Sequence, residues 1–136
     1  SRSRVWLSVA DSVVPSITGS CAGSLHDVWD DCLVAISLGQ DVVGAATELR
    51  AGITGAQRAE WAASEPATWA GESFAVVTRP EVQYCLPTSS GCWYDSGNGT
   101  FEPGEAVRTV LIDQAYVDGA GPIIRDRLKR AGVRLA

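Results

Sequence analysis

The sequence predicts a mainly α-helical fold, a bundle-like domain with one disulfide-braced loop. In several segments, apolar residues recur at steps of three and four, and these segments begin at capping residues and end at glycine or proline. Four cysteines fall into two local pairs. A chain of 136 residues, 46% of them hydrophobic, can bury one ordinary core. Residues 1–136 are therefore predicted to form a single domain without an internal boundary.

The first half of the sequence predicts a strand-like or irregular N-terminal segment followed by three helices. Residues 1–23 combine a short apolar patch with Ser, Pro and Gly, which is typical of a strand-like or irregular segment. From Ser24, a good N-cap, the periodicity predicts a helix that ends at Gly39. A second helix is predicted over 41–51, and Thr54 is expected to cap a short third helix.

The second half predicts a helix, a long loop and two further helices. Pro66 suits the first turn of a helix that reaches about Thr78. Residues 80–104 are rich in Pro, Gly and Ser and predict a loop. The stretch 107–120 is compatible with a helix, and Pro122 is expected to open or kink the last helix, whose basic residues would form a solvated stripe. The predicted core contains Leu25, Trp29, Leu33, Trp69, Phe74, Leu111, Ile124 and Leu128.

The cysteines predict disulfides. Their spacings are not Cys-x-x-Cys, which disfavours a zinc ribbon or a thioredoxin-like site. Of the three possible connectivities, the short separations favour Cys21–Cys32 and Cys85–Cys92, although four buried thiols are an alternative. Disulfides imply a secreted or periplasmic location. In a eukaryotic protein Asn98 would be a glycosylation acceptor.

Composition limits the partners of the chain. No apolar run approaches the roughly 20 residues that cross a bilayer, and the first residues do not resemble a signal peptide, so no membrane anchor is expected. The net charge of −5 disfavours a module that binds duplex nucleic acid by neutralising phosphates. A nuclease in which metal ions supply the positive charge stays compatible with this composition.

The first predicted helix carries the most informative pair of residues. His26 is the single histidine of the chain, and Asp30 follows it by four residues. Residues i and i+4 share one helix face, so the imidazole and the carboxylate can converge. Together they suit Zn²⁺, which can lower the pKa of a bound water to about 7. A pair with this spacing can also simply cap or brace a helix.

Three ordered motifs resemble those of the S1-P1 nuclease family, which comprises zinc-dependent, single-strand-specific nucleases. Leu25-His26-x-x-Trp29-Asp30 is similar to the family's Leu-His-x-x-Trp-Asp motif. The stretch 69–73 resembles its Trp-Ala-x-Glu-Ser helix, and 128–136 resembles its C-terminal Leu-x-x-Ala-Gly-x-Arg-Leu-Ala. The resemblance covers about residues 24–136. It implies an almost entirely helical fold of the phospholipase C / P1 nuclease type.

The resemblance also implies chemistry. The family hydrolyses phosphodiester bonds of single-stranded DNA and RNA, has 3′-nucleotidase activity and holds up to three zinc ions. Of its ligands, only His26 and Asp30 carry over, as ligands of one zinc. Asp31 stands where fungal members have an asparagine of the nucleobase pocket, so it is a candidate substrate-binding residue. Glu72 is expected to form a packing or ion-pair contact, with orientation of a metal-bound imidazole as the alternative.

A chain with one histidine is not expected to hold three zinc ions alone. The resemblance therefore implies the C-terminal half of such an enzyme, either processed or a fragment, with an N-terminal half as its partner. The predicted partners are that segment and single-stranded nucleic acid or nucleotide, with no membrane. Two alternatives stay open, a zinc phospholipase C-like phosphodiesterase and a non-catalytic helical subunit.

Overall fold

A computed structural model describes residues 3–9, 21, 24–88, 91–93 and 106–136, with side chains described for 21, 24–85 and 109–136. The fold is mainly helical, as predicted. The helices are α1 (Leu25–Leu38), α2 (Val42–Ala51), α3 (Gly55–Ala62), α4 (Pro66–Val77) and α5 (Gln114–Arg134). The strands are β1 (Ser3–Val9), β2 (Leu86–Thr88), β3 (Gly91–Trp93) and β4 (Ala106–Ile112).

Side-chain caps fix where several helices begin. Ser24 and Asp27 form a capping box at the start of α1, and Thr54 and Gln57 form one at the start of α3. Each box satisfies two backbone N–H groups that the first turn leaves without helical partners. Both predicted caps are confirmed. The predicted stop at Gly39 is confirmed as well, and its φ of 72° lies in the left-handed region, where glycine avoids the steric cost of a Cβ.

The cap at Thr54 gives a test of this local order. Thr54→Ala removes the hydroxyl that accepts from the Gln57 N–H, and we expect it to lower the free energy of unfolding by about 1 kcal/mol. Thr47→Ala is the matched control, since Thr47 lies inside α2 and bonds the Val43 carbonyl. Alanine is the better helix former there, so its stability should stay equal or rise. Urea unfolding followed by circular dichroism makes the comparison, and equal losses in both variants would contradict it.

The helix predicted over 107–120 is wrong in its first part. Residues 106–112 form β4, which pairs in parallel with β1, with Val9 opposite Ile112. Val110 and Ile112 are fully buried while Leu111 is 48% exposed, which is the alternation of a strand with one covered face. The last helix begins at Gln114, capped by Asp113, and Pro122 lies inside it. Because proline has no N–H, it cannot bond the carbonyl of Asp118 four residues earlier.

The predicted loop over 80–104 contains ordered structure in its described part. β2 and β3 form a short antiparallel hairpin, with Leu86 opposite Trp93. The segment before it is a compact turn in which Val82 N–H donates to the Arg79 carbonyl and Cys85 N–H to the Val77 carbonyl. Gln83 adopts a φ of 54° in this turn. The turn lies close to the first helix.

The core lies between α1, β4 and the first half of α5. Its largest fully buried side chains include Leu33, Ile112, Val28 and Val110. The predicted core is only partly right. Leu25, Leu33 and Ile124 are buried, Trp29 packs against the core, and Trp69 is half-buried. Phe74, Leu111 and Leu128 are 58%, 48% and 41% exposed, which contradicts their assignment to the core.

Disulfides brace the fold. Cys21 and Cys32 are bonded, as predicted, with a Cα–Cα distance of 5.1 Å. This bridge joins α1 to the segment that precedes it. Cys85 is also disulfide-bonded, and the described part of the chain has no free cysteine. The side chain of Cys92 and the whole of Asn98 lie outside the described residues, so the Cys85–Cys92 pairing and the glycosylation of Asn98 stay predictions.

Within the described ranges, no individual helix has the length and apolarity to cross a membrane. The pair Leu25–Leu38 and Val42–Ala51 passes that test only as a broken span bent by 77°. The first of these helices is largely a core element, since Leu25, Val28, Cys32 and Leu33 are buried in the domain.

Candidate metal centre on the first helix

His26 and Asp30 meet on the exposed face of α1. His26 Nε2 lies 3.1 Å from Asp30 Oδ2, and the two side chains are 67% and 63% exposed. Two of the residues between them face inward instead, because Val28 is buried and Trp29 packs on the core. The helix thus turns its apolar face inward and presents an imidazole and a carboxylate to solvent at one point. The predicted convergence of this pair is observed.

The start of α1 is held firmly. Ser24 N–H donates to Asp27 Oδ2 at 2.9 Å, the Ser24 hydroxyl donates to the same oxygen at 2.8 Å, and Asp27 N–H donates back to the hydroxyl. These bonds favour the charged carboxylate and lower the pKa of Asp27, chiefly through the Ser24 backbone N–H. The capping box thereby fixes the turn from which His26 projects.

The carboxylate of the pair lies on a π-helical turn. Residues Val28–Cys32 are π-helical, and the Leu33 N–H bonds the Val28 carbonyl, five residues earlier. A π-turn inside an α-helix inserts one extra residue, and such turns are frequent at functional sites. It therefore sets the rotation of Asp30 about the helix axis relative to His26. The Cys21–Cys32 disulfide ends this turn.

Two tyrosines distant in sequence lie at the site. Tyr84 Oη is 3.4 Å from His26 Nδ1, so a phenol lies beside the ring nitrogen that does not face Asp30. Behind the helix, Trp29 Nε1 donates to Tyr116 Oη at 3.0 Å, and Tyr116 Oη donates to the Val82 carbonyl at 2.5 Å. The Trp29 and Tyr116 rings pack edge to face, with centroids 6.3 Å apart. Sequence reasoning identified neither tyrosine.

The pair fits two positions of a zinc site. With bonds of about 2.0–2.1 Å to a tetrahedral ion, two ligand atoms lie roughly 3.3 Å apart, close to the 3.1 Å observed. Imidazole nitrogen and carboxylate oxygen are ordinary zinc ligands. Tyr84 stands where the other imidazole nitrogen of a zinc ligand normally finds a hydrogen-bond partner. In the part of the chain that the structure describes, no group of three His, Cys, Asp or Glu residues could hold a metal ion.

Asp31 and Glu72 have surroundings different from those of the His26–Asp30 pair. Asp31 is exposed and follows Asp30, and successive helical residues do not share a face. Glu72 accepts two hydrogen bonds from the Arg134 guanidinium, both at 2.8 Å, and is paired with Arg127 and Arg130 as well. These arginines hold the pKa of Glu72 at about 2, with Arg134 making the largest contribution. The ion-pair interpretation of Glu72 is therefore confirmed.

Two of the basic residues of α5 that the sequence placed on a solvated stripe, Arg127 and Arg130, are largely covered. Arg127 and Arg130 are only 26% and 24% exposed, and Arg134 is 4% exposed. The Arg130 guanidinium lies 4.9 Å from the centre of the Trp61 ring, and that of Arg134 lies 5.2 Å from the Trp69 ring. Helical spacing showed that these arginines share a face, but not that α4 covers that face with Glu72. We name Glu72, Arg127, Arg130 and Arg134 the arginine cluster.

The fold and the site define a helical protein whose first helix presents a histidine and an aspartate together on its exposed face. The S1/P1 nuclease family model matches residues 17–136, and the chain belongs to that family. This membership makes nuclease-type hydrolysis of phosphoester bonds its general class of activity, in a family that generally depends on zinc. No curated protein and no solved structure matches the chain.

Proposed function

We propose that this chain forms part of a zinc-dependent endonuclease that hydrolyses phosphodiester bonds of single-stranded DNA and RNA and has 3′-nucleotidase activity. The observation that carries the proposal is the His26–Asp30 pair, 3.1 Å apart on the solvent face of α1 in a member of the S1/P1 nuclease family. Asp31, next to this pair and exposed, is proposed to contact the nucleobase. The disulfides and the family favour a secreted or periplasmic enzyme.

The residues of the chain have separate tasks in this proposal. His26 Nε2 and Asp30 Oδ2 would hold one zinc ion, and Tyr84 Oη, 3.4 Å from His26 Nδ1, is placed to accept the N–H that a zinc-bound imidazole would carry there. When bound, zinc makes water a stronger nucleophile and neutralises charge on the phosphate. The capping box and the π-turn keep the two ligands converged, so they need not reorganise when the ion binds.

The proposed zinc site requires a third ligand from a further segment of the protein. Catalytic zinc sites normally have three protein ligands, and α1 supplies two. An apolar groove of about 650 Å³ lies between α1, α2 and α5, lined by Val34, Leu38, Val42, Leu49 and Val133 among others. No residue of α2 is buried, and Val42 and Val43 are 78% and 76% exposed. We propose that the N-terminal part of the same enzyme covers this apolar surface and contributes the third ligand.

The test compares substrates on the complete enzyme, in which this chain is combined with its N-terminal part. We expect zinc-dependent cleavage of single-stranded oligonucleotides and release of phosphate from 3′-nucleotides. Duplex of the same sequence and phosphatidylcholine vesicles are the comparison substrates. Hydrolysis of the lipid headgroup without nucleic-acid cleavage would replace the proposal with a phospholipase C-like activity. A mature protein that holds no zinc and cleaves none of these substrates would indicate a non-catalytic subunit.

A further inference from the structure

The buried side of α1 has two linked hydrogen bonds that share the Tyr116 hydroxyl. The Tyr116 hydroxyl accepts from Trp29 Nε1 and donates to the Val82 carbonyl, so it bonds two separate elements at once. Tyr116 is 8% exposed and Val82 is 3% exposed, which places this hydroxyl away from water. Buried polar groups of this kind cost free energy when one partner is lost. These two hydrogen bonds therefore fix the position of Trp29 relative to Val82 more strongly than a surface hydrogen bond would.

The Tyr116 hydrogen bonds lie next to the residues of the His26–Asp30 site. Trp29 precedes Asp30 and lies on the π-turn that sets the direction of the Asp30 carboxylate. Val82 precedes Tyr84 by two residues, and Tyr84 contacts His26 Nδ1. A single hydroxyl thus joins the helix that bears both ligands to the turn that bears the phenol beside His26. Hydrogen bonds of the Val82 and Cys85 N–H groups to Arg79 and Val77 hold that turn.

We propose that Tyr116 is a positioning residue for the His26–Asp30 pair. Its hydroxyl keeps the π-turn in place through Trp29 and keeps Tyr84 against His26 through Val82. Without it, the Trp29 N–H and the Val82 carbonyl lose their shared partner, and the two elements can shift relative to each other. The consequence for zinc rests on the proposed function, whereas the consequence for the orientation of His26 does not.

The single histidine of the chain makes the orientation measurable. In the metal-free chain, with histidine isotopically labelled, we expect a nuclear Overhauser effect between the His26 imidazole and the Tyr84 ring. In Tyr116→Phe this effect should be lost. Trp29→Phe removes the donor of the hydrogen bond to Tyr116 Oη, so it should also abolish this effect. This variant replaces Tyr116→Phe in the test if Tyr116→Phe does not fold. Retention of the wild-type effect in the folded variants would overturn the proposal.

A zinc titration of the complete enzyme, in which this chain is combined with its N-terminal part, adds the second readout. Tyr116→Phe is expected to weaken zinc binding at His26 about tenfold, the usual effect of removing a group that orients a metal ligand. The double variant with Trp29→Phe should weaken it no more than about twofold further, since both changes break one connection. Trp61→Phe is the control, because it truncates a buried residue of α3 that packs on Arg130, far along α5 from Tyr116, and it should leave zinc binding unchanged.

The nuclear Overhauser comparison and the zinc titration together distinguish the metal role of the His26–Asp30 pair from the positioning role of Tyr116. If the complete wild-type enzyme does not bind zinc at His26, the metal role proposed for the pair fails, and the nuclear Overhauser comparison still decides whether Tyr116 positions His26. If the complete wild-type enzyme binds zinc at His26 and its Tyr116→Phe variant binds it equally well, the positioning role fails and the metal role stands. A loss of zinc affinity in Trp61→Phe equal to that in Tyr116→Phe would show a general effect of stability and would also overturn the proposal.

Discussion

Replacing His26 with alanine is expected to abolish zinc binding on α1 and to lower single-strand cleavage by the complete enzyme about 10³-fold. One lost hydrogen-bond donor to a transition state costs roughly 10²–10³ in rate, and loss of a divalent cation should cost no less. Asp30→Asn should act in the same direction, because the amide keeps the shape of the side chain but not its charge. Zinc content by atomic absorption and cleavage of a labelled oligonucleotide measure the two effects.

The fold should survive this change. The His26 side chain is 67% exposed, and substitutions at such positions usually alter the free energy of unfolding by no more than about 0.5 kcal/mol. Thermal unfolding followed by circular dichroism provides the folding control. Glu65→Gln is the matched variant, since Glu65 is exposed at the start of α4 and should leave zinc content and cleavage unchanged. Unchanged zinc content and undiminished cleavage in His26→Ala would show that the His26–Asp30 pair only braces the helix.

The metal pair could be predicted from the sequence because its geometry is local. Four residues of helix bring His26 and Asp30 together whatever the remainder of the chain does, and the Ser24 cap is equally local. The same holds for the ends of α1 and α4. Tyr84 and Tyr116 could not be found this way, since they reach the first helix across 58 and 87 residues, respectively. Only the packing of the turn after α4 and of α5 brings them there.

The missed strand has a comparable cause. Residues 106–112 pair with residues 3–9 at the other end of the chain, and parallel strands carry no hairpin signal that would connect them. Val110 and Ile112 alternate with Leu111, but the same residues also fit a helical spacing when taken with Ala115 and Val117. Short apolar runs leave this ambiguity, and here the tertiary partner decides it. The exposure of Leu111 follows directly from the strand.

Replacing Glu72 with glutamine is expected to lower the free energy of unfolding far more than removing a charge from an exposed ion pair would. Glu72 is the shared carboxylate of the arginine cluster, with a side chain 24% exposed, and its main partner Arg134 is 4% exposed. The substitution leaves a buried guanidinium without its counter-charge. Breaking a buried pair costs about 3–5 kcal/mol, and the partial exposure of Glu72 lowers our expectation to about 2–3 kcal/mol. The melting temperature should fall by roughly 8 °C.

A second ion pair supplies the matched control. Glu48 pairs with Arg125 at 2.6 Å, but its side chain is 64% exposed. Exposed pairs contribute about 0–1 kcal/mol, because water screens the charges and long side chains lose entropy. Glu48→Gln should therefore change the free energy of unfolding by less than about 1 kcal/mol. Equal effects of the two substitutions would show that burial of the arginine cluster does not determine its contribution.

The pH dependence distinguishes the charge of Glu72 from its packing. Its pKa in the folded protein is about 2, against 4.5 for the unperturbed group, so the folded state holds this carboxyl ionised more strongly than the unfolded state does. The stability it contributes is then complete above about pH 4.5 and disappears as the pH falls towards 2. In urea unfolding at a series of pH values, wild type and Glu72→Gln should differ fully at neutral pH, begin to approach each other below about pH 4.5 and converge at about pH 2, where the wild-type carboxyl becomes protonated in the folded state. A difference that stays constant down to pH 2 would assign the effect to shape and hydrogen bonding instead of charge.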